Sequence, residues 1–317
     1  MPRSQASRRR RKPSRPFAAV QHYDGIFALT IVCVERLLTA GNGRAPNMTR
    51  KTTEAYWDEV WAQQRAVPVL DPRSRAVTRQ FDRVFDREVR AALRLWGGTA
   101  GSLVEVGCGG SCYLPYFARH HGLCVSGLDY SEAGCANAAR ALVEQGVTGE
   151  IRRGDMFAPP AGFGSFDVAC SIGLLEHFQD TAAAVKALSR LVRPGGLVLS
   201  LIPNMTGLTG LLQKWTDRPV YDLHVPLDAG TFAAAHTAAG LEVLVARPMM
   251  TLNLYVVNAR FETLRFGTLL RYLRAGISRA CWAVEFAAGR EFPNSLTSPY
   301  IFCAARVGPE EQRRQEQ

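Results

Sequence analysis

The chain has 317 residues with 47% hydrophobic content, room for one large globular domain plus additions, and this composition excludes disorder of the whole. The net charge of +10 resembles a nucleic-acid signal until it is located. Seven basic residues and no acid lie between Arg3 and Arg15, and residues 48–317 carry only +3. The eight cysteines form no C-x-x-C pair and have no histidine at zinc spacing, so a reduced, cytoplasmic protein with no metal ligand set is expected.

In chain order, residues 1–47 read as a disordered basic extension or a misassigned start ahead of Met48. The apolar patch Ile26 to Val34 is too short for a bilayer, which needs about 20 residues. Asp24 and the early charges also oppose a signal peptide. Residues 48–100 predict a helical lead-in. Tyr56, Val60 and Trp61 are spaced for one helix; Val77, Phe81, Val84, Phe85, Val89, Ala92, Leu93 and Trp96 mark an amphipathic second one.

Residues 101–308 then alternate strands with helices. Leu103 to Val106 suits a strand buried on both faces, and Gly107, Gly109 and Gly110 permit a sharp turn and close backbone approach to a ligand. The helix-like YLPYFARHH after the turn would direct its free N–H groups at an anionic ligand end. Further apolar runs follow at Leu123 to Leu128, Ile151 to Gly154, Phe166 to Ile172 and Leu197 to Ile202, the last preceded by R-P-G-G at the end of a helix. This rhythm predicts a parallel sheet with helices on both faces and ligands at the carboxyl ends of the strands. Asp129 falls about 20 residues past Gly109, the spacing of an acid that meets ribose hydroxyls. Leu241 to Arg247 and Tyr300 to Ala305 supply two more strands, and residues 309–317 a polar tail.

Taken together, the E-x-G-x-G at Glu105, Gly107 and Gly109, the acid at Asp129, the G-D-M at 154–156, the F-D-V…L-L-E-H-F at 166–178 and the R-P-G-G resemble class I S-adenosylmethionine-dependent methyltransferases. The likeness is to the small-molecule group that includes quinone-biosynthesis enzymes, and it covers roughly residues 75–247. It implies a Rossmann-like, doubly wound, mostly parallel seven-stranded α/β sheet with an antiparallel last strand, and S-adenosyl-L-methionine as cofactor. It further implies that Gly107, Cys108, Gly109 and the run Ser171, Gly173, Leu174 surround the methionyl part, that Asp129 meets the ribose, and that Asp155 meets the adenine amine. Tyr130 and Met156 would offer flat or polarisable surface to the adenine, or else simply line the core. Asp129 could alternatively cap the helix starting near Ser131, and buried Glu105 needs a partner, on the backbone or the cofactor amine. Ser111 after Gly110 departs from the pattern, where a third glycine is common, and implies a slightly shifted turn.

Two insertions, 203–226 and 248–297, are expected on the acceptor side. The first is a loop after strand five; the second mixes Phe261, Leu264, Leu269, Leu270, Leu273, Ile277, Trp282, Val284 and Phe286 with Arg260, Arg265, Arg271, Arg274 and Arg279 as one or two basic amphipathic helices. The favoured reading packs their apolar face on the domain as a lid; the other is a peripheral membrane contact. Both keep a hydrophobic small-molecule acceptor in play, with an O, N or C nucleophile. For a hydroxyl or carbon acid, His224 or His177 would be the general base, since histidine titrates near neutrality unaided; His177 could equally be structural.

Competing functions are weighed by missing residues. A nicotinamide oxidoreductase needs glycine where the chain has Cys112. An RNA or protein methyltransferase has only the basic tail in its favour: no Pro-Cys dipeptide supplies a thiol, and Ser171-Ile172-Gly173-Leu174 stands in place of D/N-P-P-Y, so no nucleic-acid partner is expected. A cofactor-binding protein without catalysis is the third alternative.

Overall fold

Seven strands meet in one sheet of order β3-β2-β1-β4-β5-β7-β6, in a computed structural model that describes residues 50–64, 69–257 and 266–308. The expectations for 1–47, for the tail 309–317, and for Phe261, Leu264, Arg260 and Arg265 lie outside those residues. The strands are β1 (Ser102–Val106), β2 (Cys124–Asp129), β3 (Gly149–Arg153), β4 (Phe166–Ile172), β5 (Val192–Pro203), β6 (Leu241–Met249) and β7 (Tyr300–Val307). Neighbours from β3 to β5 run parallel; β7 is antiparallel to both β5 and β6. The sheet is therefore the doubly wound α/β arrangement that the motifs implied.

Alternation along each strand divides the core in two. Leu103, Val125, Val168 and Leu199 face one apolar cluster, and Val104, Leu128, Ala169 and Val198 face another, as strands buried on both sides must. The first is covered by α2 (Gln80–Trp96), α3 (Tyr113–His121) and α4 (Glu132–Glu144); the second by α5 (Thr181–Ser189) and α8 (Ala229–Ala238). On α2, Val84, Phe85, Val89 and Ala92 are buried at the predicted helical spacing, each large apolar side chain contributing about 1.5–3 kcal/mol. Gly97 ends this helix in the left-handed conformation, and Trp96 Nε1 ties it to the sheet by donating to the Gly195 carbonyl at 2.7 Å.

Three local expectations change. The R-P-G-G lies inside β5 instead of ending a helix: α5 stops at Ser189, and Gly195 (φ +73°) accommodates a register irregularity between Phe166 and Val168 on the partner strand. The expected loop after β5 is two helices, α6 (Leu208–Thr216) and α7 (Arg218–Asp222), the second capped by Asp217, whose side chain accepts from Val220 N–H. The second insertion holds one long helix, α9 (Gly267–Ala288), which packs through a narrow stripe of Ser278, Trp282 and Glu285. Trp282 Nε1 donates to Leu252 O, while Ser278 Oγ and Glu285 Oε1 accept from Leu254 and Thr251 N–H. Leu269, Tyr272, Leu273, Ile277, Val284 and Phe286 stay exposed, so of the apolar face expected to pack on the domain only Trp282 is fully buried.

The two insertions are stitched together at Asn204. Its amide donates to the Ser295 and Ser298 carbonyls, and its Oδ1 accepts from Thr206 and Gly207 N–H. No described helix is long and apolar enough to cross a membrane.

Candidate functional site

The carboxyl ends of β1, β2 and β4 lie side by side, with Val106 paired to Leu128 and to Ser171. The residues that follow, Gly107, Asp129 and Gly173, consequently meet at one edge of the sheet. Gly107 adopts φ +78°, a conformation costly for any side chain, and its N–H is anchored on the Leu128 carbonyl at 2.8 Å. Asp129 is buried and already holds two backbone donors, Gly109 N–H on Oδ2 at 2.7 Å and Ser131 N–H on Oδ1 at 2.8 Å. Burial pushes its pKa up to about 6 against those bonds, which pull it down. Ser131 itself caps α4, its hydroxyl accepting from Gly134 N–H and donating to Asp58 at 2.6 Å. The cap of α4 is therefore Ser131 and not Asp129, which instead holds the Ser131 N–H.

A shallow cleft opens beside this edge. Gly107, Asp129, Tyr130, Asp155, Met156 and Leu174, all expected around a cofactor, line it. Glu105, Cys108, Gly109, Ser171 and Gly173 are not among the lining residues. Cys108 turns its fully buried thiol into the core, where a Cβ on Gly127 would meet its Sγ at 2.6 Å; burial raises its pKa well above the thiol range, so it fills space and is no nucleophile. Glu105, likewise pushed up by burial, to about 8, finds its partner in the Ser111 hydroxyl, whose oxygen also accepts from Tyr113 and Leu114 N–H. The residue that breaks the glycine pattern therefore supplies both an acceptor for the first two N–H groups of α3 and the hydrogen bond that buried Glu105 requires. Ser171 Oγ is buried without a partner, and Gly173 N–H bonds the Leu201 carbonyl.

Three lining residues, Arg50, Thr52 and Trp57, have no place in any motif, and Val106, Leu128, Gly154 and Phe178 were read only as strand or motif positions. Arg50, Thr52 and Trp57 belong to a strap formed by residues 50–64, which includes α1 (Glu54–Ala62). Thr53 caps that helix, and Arg153 pairs with Glu54 on it at 2.7 Å. The strap bridges Phe178 through Arg50 in antiparallel fashion. The Arg50 guanidinium forms an ion pair with Asp155 and lies 5.3 Å from the Tyr130 and Phe157 ring centroids and 5.7 Å from that of Phe178. Farther along, Trp61 and Gln64 occupy the space that a Cβ on Gly109 or Gly110 would need. The missing side chains of the turn make room for the strap, a packing use the glycine cluster did not distinguish from ligand approach.

Both histidines expected to act on an acceptor meet at the other end of this strap. Lys51 N–H donates to His177 O at 2.9 Å, Lys51 Nζ to His224 O at 2.6 Å, and Val225 N–H to Glu176 O at 2.7 Å, so segments 50–52, 175–178 and 220–225 converge. The imidazoles lie 4.8 Å apart between centroids, with the Trp57 ring edge against His177 at 5.5 Å. Facing carbonyls assign the Nδ1–H tautomer: His177 Nδ1 donates to Leu223 O and His224 Nδ1 to Val220 O, each at 2.8 Å. Burial depresses their pKa values to about 3 and about 4. The expectation of titration near neutrality is thereby corrected, because desolvation of the cation outweighs the two carbonyl bonds. Beside them Glu176, which the sequence placed only within a motif, is fully buried, and its Oε2 has no hydrogen-bond partner.

Comparison with known proteins agrees with this geometry. Residues 104–200 match the family model described as a methyltransferase domain. A ubiquinone biosynthesis O-methyltransferase of Pseudomonas paraeruginosa is 38% identical over 104 residues, 32% of this chain and 44% of that protein. Its counterpart in Pseudomonas entomophila is 31% identical over 150 residues, covering 44% of this chain and 64% of that one. The chain spans less than half the length of the first of these relatives and under two thirds of the second. Among solved structures, geranyl diphosphate C-methyltransferase from Streptomyces coelicolor, crystallised with Mg²⁺, geranyl-S-thiolodiphosphate and S-adenosyl-L-homocysteine, superposes with a TM-score of 0.51 at 13% identity, over 83% of this chain and 99% of that one. A candidate sarcosine dimethylglycine methyltransferase from Galdieria sulphuraria gives 0.51 at 14%, over 80% and 98%. At such identities the structures speak for the fold alone, and the family match says that residues 104–200 are similar to a methyltransferase domain.

Proposed function

We propose that the chain transfers a methyl group from S-adenosylmethionine to a small-molecule acceptor, with an oxygen nucleophile favoured by the curated names of its relatives. The observation that carries this reading is the row of Gly107, Asp129, Asp155 and Met156 along one cleft within the matched domain. A bound S-adenosylmethionine supplies a sulfonium-activated methyl carbon. The remaining work falls to the chain: Asp129 has acceptor capacity left for ribose hydroxyls beyond its two backbone bonds, and Asp155 can accept from an exocyclic amine. Tyr130 and Met156 line the cleft beside them. In-line displacement gains chiefly from alignment, worth up to about 7 to 11 kcal/mol, so the strap and the insertions act by holding the acceptor and excluding water.

His177 and His224 are the candidate acceptor-side groups, His224 with the better claim because it sits on the insertion after β5. With pKa values near 3 and 4 they are neutral at physiological pH and weakly basic, so they orient an acceptor more readily than they deprotonate it. The exposed apolar residues on α6 and α9, Leu211 and Trp215 among them, support a hydrophobic acceptor.

Calorimetry with S-adenosylhomocysteine, followed by transfer of labelled methyl groups to a panel of phenolic and aliphatic hydroxyl acceptors, tests the proposal. Saturable binding with no heat from NADH is the expected result. Absence of S-adenosylhomocysteine binding would overturn it.

A further inference from the structure

We propose that Glu176, His177 and His224 form a binding site for one divalent first-row metal ion, zinc being the cation best matched to two imidazoles and one carboxylate. One potential ligand atom from each lies within 4.8 Å of the others, a span that a modest side-chain adjustment would bring to metal–ligand distances of about 2.0–2.2 Å. Among the described residues no other group of three or more His, Cys, Asp or Glu side chains is so placed.

Three features point to a ligand. The first is Glu176 itself: its carboxyl is 2% exposed, and one of its oxygens has no hydrogen-bond partner. A buried polar atom in that condition costs about 1–3 kcal/mol, and a cation between the rings would satisfy it. The second is the orientation of both imidazoles. Each commits Nδ1–H to a backbone carbonyl at 2.8 Å, leaving Nε2 as the nitrogen with a lone pair to give, and this is the outer-shell bond by which metal-binding histidines are normally fixed. Third, those carbonyls belong to Val220 and Leu223, on one short stretch around α7, while Lys51 binds the His224 carbonyl, so the strap, the turn after β4 and the insertion lock the three ligands from separate directions.

The sequence hid this site because Glu176-His177 and His224 are 47 residues apart, far from any compact zinc spacing. A carboxylate with two imidazoles leaves at least one coordination position for water or an acceptor oxygen. Glu176 and His177 stand between Leu174 and Phe178, both of which line the cleft. Resting on the methyltransfer reading, the metal would bind an acceptor hydroxyl and favour its deprotonation.

The test uses the full chain without a histidine tag. Titration with Co²⁺ should give visible absorption bands saturating at one equivalent and abolished by Zn²⁺, and Zn²⁺ should raise the melting temperature. Glu176→Gln, which replaces a buried carboxyl by an amide of the same shape, and His224→Gln should each weaken Co²⁺ binding at least tenfold and remove the thermal shift. Should His224→Gln fail to fold, Glu176→Gln carries the test alone. No saturable binding, or binding unchanged in Glu176→Gln, would overturn the site. S-adenosylhomocysteine calorimetry on the same samples separates the two ideas, since metal binding without cofactor binding would remove the methyltransferase reading and leave the site standing.

Discussion

Asp129 carries two duties, and they decide how it can be probed. Its oxygens hold Gly109 and Ser131 N–H, so Asp129→Ala would strand two buried donors at about 1–3 kcal/mol each and disturb the glycine turn along with any ribose contact. Asp129→Asn keeps an acceptor oxygen, making it the sharper variant. With the carboxyl raised to about 6 by burial, S-adenosylhomocysteine affinity should fall as pH drops through 6, because only the carboxylate accepts from both ribose hydroxyls. Isothermal titration between pH 5 and 8 should show that decline in the unaltered chain and a flat, weaker profile in Asp129→Asn. A flat profile in both would remove Asp129 from cofactor binding.

At the level of elements, the strap is what the sequence could not place. Tyr56 and Trp61 marked its helix by their spacing, and α1 buries both, yet nothing in that period tells a core helix from one lying over a cleft. The strands were legible because burial on both faces writes short β-branched runs bounded by glycine and acid, and the order of β1, β2 and β4 brings Gly107 and Asp129 together without further information. Arg50 was illegible for the opposite reason: a lone arginine before a helix has no pattern. It now pairs with Asp155 among the rings of Tyr130, Phe157 and Phe178, the surroundings an adenine would need. A nucleoside entering this slot must displace the guanidinium, whose half-exposed ion pair and ring contacts are worth about 1 kcal/mol in sum. Arg50→Ala should therefore tighten S-adenosylhomocysteine binding about fivefold and leave the fold intact. Weaker binding in that variant would make Arg50 a wall of the site instead of its occupant.

Across the whole molecule, the stability profile should record the acid and the imidazole that folding buries away from the proposed metal site. Glu105 is raised from 4.5 to about 8, so the folded chain binds a proton there that the unfolded chain has released; stability is lost as pH rises from 4.5 through 8, by up to about 1.4 kcal/mol per pH unit. His236, bonded to Phe232 O and Ser200 Oγ, is lowered to about 4. The unfolded chain takes up that proton first, so stability is also lost as pH falls from 6.5 toward 4. Denaturant midpoints should accordingly pass through a maximum on the acid side of neutrality. Glu105→Gln retains a partner for the Ser111 hydroxyl yet cannot ionise, and it should make the alkaline decline shallower, other buried acids such as Glu176 supplying the rest, while leaving the acid limb unchanged. Since Glu105 sits in the β1 strand end beneath the glycine turn, the same variant should keep its affinity for S-adenosylhomocysteine near pH 7. A decline as steep as in the unaltered chain would show that the Glu105 carboxylate is already ionised in the fold, with the Ser111 hydroxyl able to stabilise it.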